Sequence, residues 1–125
     1  MRTILTAARL LSPVEVVEHP VVVLDDGAIV SIAGRNGSEL PAGRHVEFPD
    51  CTLIPALFDV HIHGSGGHDA MEATDSALNH IGKFLARRGV GAYFATTVTA
   101  PLDTLLRSLA GLARLLLVPL EGARP

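Results

Sequence analysis

The chain has 125 residues, 48% of them hydrophobic and 18% charged, a composition that can bury a core and lies far from that of a disordered segment. Its formal net charge of -3 offers no clustered basic footprint, which excludes nucleic acid and anionic membrane surfaces as main partners. The single cysteine, Cys51, cannot form an internal disulfide and stands beside an apolar run where packing accounts for it, so a reducing cytoplasm is the expected setting.

Met1 to Leu11 carries Arg2 and Arg9 but lacks a compact apolar region followed by a small-residue cleavage site, so no signal peptide is expected. From Val14 to His45 short apolar runs alternate with turn residues. Val21 to Leu24 and Ala28 to Ala33 flank Asp25, Asp26 and Gly27, and an Asp-Gly pair between β-branched runs predicts a hairpin, because its tight turn needs positive φ values. Pro41 to Pro49 reads as a polar connection and a new apolar run begins at Cys51, which puts a domain boundary near Asp50.

Beyond that boundary the texture changes to alternating strand and helix, which predicts parallel βαβ units. A strand is expected from Leu53 to Ile62, and a helix from Thr74 to Arg88, with Thr74 or Asp75 as its cap and Gly89 ending it. A second strand is expected from Ala92 to Val98. Pro101 then opens a second helix carrying Leu102, Leu105, Leu106, Leu109 and Leu112. Pro119 and Arg114 interrupt the most apolar stretch, near Leu115, so no spanning helix is expected and the chain reads as soluble.

The chemistry concentrates at His61 and His63. Two residues apart on a strand, they share a face, and same-face Cα atoms lie roughly 6.5 to 7 Å apart, close enough for two imidazoles to converge on one ion. Gly64, Ser65, Gly66 and Gly67 follow at once and let the backbone leave the strand end sharply, where parallel α/β folds place their sites. Two ordinary polar strand-end residues are the alternative reading. Asp59 shares the odd parity of the histidines and is a candidate to orient them, with solvation at the strand start as its alternative. His68 and Asp69 read as solvent-exposed loop residues and weak substrate-contact candidates. His19, His45 and His80 have no partner at ligand spacing, and Thr96, Thr97 and Thr99 read as ordinary strand residues outside the site.

The run Pro55, Ala56, Leu57, Phe58, Asp59, Val60, His61, Ile62, His63, Gly64 resembles the strand-one signature of the amidohydrolase superfamily, PGFIDxHxHG, departing from it at Ala56. The continuation Ser65, Gly66, Gly67, His68, Asp69 resembles the N-acetylglucosamine-6-phosphate deacetylase family within it. VVVLDDGAIVSIAG is similar to that family's N-terminal hairpin, and GAYFATTVTAP to its second barrel strand. The resemblance implies an α/β fold: the N-terminal part of a small β-sandwich (residues 1–50), followed by the first two βα units of a (β/α)8 TIM barrel (residues 51–125). A complete barrel has eight strands, so it implies an N-terminal fragment.

It further implies that His61 and His63 bind a divalent metal, zinc by preference with iron or nickel possible. The implied reaction is hydrolysis of the acetamido group of a small amino-sugar phosphate in a homo-oligomeric enzyme when complete. In the family a glutamate from an HLEGP motif, two later histidines and an aspartate finish the site, so the catalytic residues are expected beyond residue 125. Glu121 is not equated with that glutamate, because Pro119 and Ala123 stand where the motif has His and Pro; the segment from Gly122 to Pro125 reads as the loop before a further strand. A dihydroorotase-like or acyl-amino-acid-deacylase amidohydrolase, and a non-catalytic metal-binding or scaffold fragment, remain as alternatives.

Overall fold

The computed structural model describes residues 1–125, which divide into two compact units, Met1–Pro55 and Ala56–Pro125. The first unit is a five-stranded sheet of β1 (Arg2–Leu11), β2 (Val16–Glu18), β3 (Pro20–Asp25), β4 (Ala28–Gly34) and β5 (Arg44–Leu53). β1 organises it. It pairs antiparallel with β3 over Arg2–Thr6 and with β2 over Arg9–Leu11, while its other edge carries β5 in parallel. Ile4, Ala7 and Leu10 of β1 and Val22 and Val23 of β3 are the buried apolar side chains of this sheet. The expected hairpin joins β3 to β4, with Asp26 at φ 47° and Gly27 at φ 83° forming the tight turn.

Two readings of this unit need correction. Pro41 to Pro49 is not all connection, because β5 already begins at Arg44, and Cys51 to Leu53 complete that strand rather than open a new one. Its polar residues disguised it: β5 lies at the sheet edge, where a mostly solvated strand tolerates His45, Glu47 and Asp50. Pro49 falls within the register shift between Ala7 and Arg9, where a residue without an N–H breaks no regular ladder. Cys51 is exposed, so packing does not account for it.

The second unit holds β6 (Leu57–Ile62), β7 (Gly64–Ser65), β8 (His68–Asp69), α1 (Asp75–Ala86), β9 (Val90–Ala95) and α2 (Leu102–Leu115). β6 and β9 are parallel neighbours joined through α1, the right arrangement for one βαβ unit. Thr74 caps α1, its hydroxyl accepting from the Ala77 N–H at 3.2 Å, and Gly89 follows the helix at φ 82°. Leu78, Ile81 and Leu85 bury one face of α1 against Tyr93 of β9 and Leu112 of α2. Full burial of side chains such as Leu78 and Ile81 contributes about 1.5–3 kcal/mol each.

Arg124 changes the reading of the C-terminal segment. It forms a parallel bridge with Ala92, its N–H reaching the Gly91 carbonyl at 2.9 Å and its carbonyl accepting from Tyr93 N–H at 2.7 Å. A third parallel strand position beside β9 is therefore already engaged, where the sequence suggested only a loop. No helix is long and apolar enough to cross a membrane.

Candidate functional site

β6 is not a regular strand. Asp59 pairs with Tyr93 and Ile62 with Ala95, so three steps along β6 match two along β9, and Val60 and His61 together face one residue, Phe94. This bulge breaks the simple odd-residue parity. Asp59 is in register with buried Tyr93, on the side of the sheet that α1 covers, whereas His61 and His63 straddle Ile62, which packs on that core. Asp59 accordingly does not orient either imidazole; its Oδ1 accepts from the backbone N–H of His61 at 3.1 Å and braces the bulge itself.

The two histidines do converge. Their Nε2 atoms lie 3.3 Å apart, with ring centroids at 4.8 Å and planes at 77°. His63 is half-buried and held from behind: its Nδ1 lies 3.0 Å from the Thr96 carbonyl oxygen and 3.2 Å from Thr96 Oγ1. A carbonyl has no proton to give, so Nδ1 carries the proton, and the Nε2 lone pair points at His61. His61 is exposed and can complete the pair by donating its own Nε2–H, or leave both lone pairs to a shared cation. At the level of sequence Thr96 was set aside as an ordinary strand residue, although its place near the end of the second strand was a signal that it could line the mouth; it lies one residue past β9, its N–H bonded to the Ile62 carbonyl at 3.0 Å.

The glycine-rich run folds as the β7–β8 hairpin. A side chain at Gly64 would overlap the His68 carbonyl, so only glycine allows this approach. Asp69 caps the short 3-10 turn Ala70–Glu72, accepting from Met71 N–H at 2.7 Å, while Glu72 accepts from the Asp69 N–H at 2.8 Å, a reciprocal capping box. That backbone bond, aided by His68 at 3.3 Å, holds the Glu72 carboxyl below the usual glutamate range. His68 is half-buried rather than a free loop residue. His80, expected to stand alone, lies against it with ring centroids 4.6 Å apart. In the fold Asp69 serves as a cap and His68 as the joint between hairpin and helix.

Glu121 is placed away from the histidine pair. Its carboxylate meets Lys83 Nζ at 2.6 Å and its N–H donates to Asn79 Oδ1 at 2.7 Å, both on α1. It precedes Arg124, which is level with Ala92 at the start of the parallel strands, whereas His63 is level with Thr96 at their end. Nowhere do three or more His, Cys, Asp or Glu side chains come together as a metal cage.

No family model matches the chain. It is 34% identical over 113 residues to the N-acetylglucosamine-6-phosphate deacetylase of Vibrio furnissii, an alignment covering 86% of this chain and 27% of the relative. It is also 34% identical over 115 residues to the N-acetylgalactosamine-6-phosphate deacetylase of Escherichia coli O157:H7, covering 91% and 29%. Among solved structures, N-acetyl-D-glucosamine-6-phosphate deacetylase from Mycobacterium smegmatis superposes with a TM-score of 0.81 at 27% identity, over 91% of this chain and 29% of that one. The Pasteurella multocida enzyme of the same name gives 0.86 at 16% identity, a likeness of fold alone. The α/β fold, rich in strands, is thereby shared with these enzymes. The chain is similar over most of its own length to the N-acetylglucosamine-6-phosphate deacetylases, and spans about a quarter of theirs.

Proposed function

We propose that this chain forms the first two-histidine part of a metal-dependent deacetylase that hydrolyses the acetamido group of N-acetylglucosamine 6-phosphate to glucosamine 6-phosphate and acetate. The observation that carries the reading is the convergence of His61 and His63 Nε2 at 3.3 Å at the C-terminal end of β6. Two nitrogens each about 2.0–2.1 Å from one ion at a tetrahedral angle stand about 3.3–3.4 Å apart, so the pair fits a shared divalent cation. Exposed His61 and half-buried His63 suit zinc, and imidazole suits iron or nickel as well. On this reading the first unit is the N-terminal part of a β-sandwich and the second the opening βα units of a TIM barrel, in a cytoplasmic homo-oligomer.

When bound, a divalent cation lowers the pKa of a water toward about 7 and polarises the amide carbonyl. The roles of this chain's residues are to present two neutral imidazole lone pairs and, through Thr96, to keep the proton of His63 on Nδ1. The remaining ligands and the group that takes and returns the proton are assigned to residues outside this segment.

Two measurements test this. Zinc titration of the chain should give one binding event, lost in His61→Ala and His63→Ala and unchanged in Glu121→Gln; binding that survives both histidine substitutions rejects the site. Expression of the protein as encoded should give acetate release from N-acetylglucosamine 6-phosphate that a chelator abolishes, and its absence rejects the activity.

A further inference from the structure

We propose that Thr96 is the positioning residue of the histidine pair, holding His63 through both of its oxygens so that Nε2 is presented as a lone pair before any ligand arrives. The proposal rests on the metal reading of His61 and His63 for its purpose, but not for its geometry. The backbone carbonyl of Thr96 at 3.0 Å selects the tautomer, since it can only accept. A carbonyl alone accepts over a broad range of directions and would let the imidazole swing about its χ2. The hydroxyl oxygen at 3.2 Å supplies a second point of contact to the same Nδ1, and two points fix the ring plane. The fixing element is rigid in turn, because the Thr96 N–H is tied to the Ile62 carbonyl at 3.0 Å, one residue before His63.

The arrangement is a closed loop of contacts. Ile62 anchors the Thr96 backbone, Thr96 anchors the His63 ring, and the His63 ring faces His61. His61 has no comparable support, as the one hydrogen-bond contact of its ring is the ring of His63 itself. The two ligands therefore differ in preparation: His63 is set in place, and His61 must free its Nε2 of a proton to share a cation.

Imidazole nitrogen NMR of the 15N-labelled 125-residue chain, without metal, tests the positioning directly. The His63 Nδ1–H should be visible in the native chain, exchange faster with solvent in Thr96→Val, where the carbonyl remains as its one Thr96 acceptor, and return to the native exchange rate in Thr96→Ser, which keeps the hydroxyl. Competition titration with zinc should show affinity about tenfold weaker in Thr96→Val and close to native in Thr96→Ser. A His63 protonated on Nε2 in the native chain overturns the proposal, as does a Thr96→Val chain with native spectrum and native affinity. A chain that binds no zinc yet shows the Nδ1–H signal and its faster exchange in Thr96→Val supports the positioning and removes the metal reading instead.

Discussion

Tyr93 is 1% exposed and its hydroxyl has no hydrogen-bond partner, an uncompensated polar group inside the cluster of Leu78, Ile81, Leu85 and Leu112. Burial pushes its pKa up from 10 to about 12. Between those values the unfolded chain gives up the phenol proton while the folded chain keeps it. The unfolded state then binds fewer protons, so stability falls as pH rises through that window. Tyr93→Phe removes both the orphaned hydroxyl and the titration. Urea unfolding should show the variant equal to the native chain or more stable by up to about 1 kcal/mol at neutral pH. It should also lack the native decline above pH 10. The Glu121–Lys83 pair shows a different residue-level lesson: at 69% and 51% exposed it contributes about 0–1 kcal/mol, and its meaning is positional. It ties the C-terminal segment to α1.

At the level of elements, β6 and β9 meet through two irregularities, one on each strand. Gly91 is the extra residue of β9 between the Leu57 and Phe58 registers, and a Cβ there would stand 2.6 Å from the Ala56 Cβ. Ala56 itself does not have a positive φ, so alanine is tolerated there, and its methyl leaves no room for a side chain at residue 91. Gly91→Ala should cost about 1–3 kcal/mol in urea unfolding, and Ala56→Gly should recover most of that in the double variant. Equal losses with and without Ala56→Gly would disprove the contact. These offsets also mark where sequence reading stopped. Hairpin, helix caps and the convergence of His61 with His63 were legible, because turn chemistry, Thr74 and a two-residue spacing act locally. The bulge at Val60 was not, since it depends on how β9 is paired; with it went the placement of Asp59. β1 escaped notice for a similar reason: RTILTAARLL lacks a strict two-residue alternation, and only its three neighbours make it the organising strand.

At the scale of the whole molecule, large apolar side chains remain open to solvent in each unit. In the first, Ile29, Val30 and Ile32 lie along edge strand β4; in the second, Phe58 and Phe94 pack edge to face at 4.9 Å while each stays about half exposed. An edge strand with β-branched, uncharged residues is a template for pairing with another chain. Sedimentation should show the 125-residue chain associating as concentration rises, and Val30→Lys should weaken that association without lowering the urea midpoint. An unchanged association in Val30→Lys would clear β4 of the role.

The bridge from Arg124 to Ala92 bears on the order of assembly during synthesis. β9 is reached from β6 across the β7–β8 hairpin and α1, before α2 and Arg124 are made, so this pairing closes first as the chain leaves the ribosome. Once closed, β9 offers its second edge to the segment made after α2, where Tyr93 N–H and the Gly91 carbonyl take up Arg124. The sheet then lengthens sideways in the direction of translation, each finished strand serving as the rail on which its successor is laid.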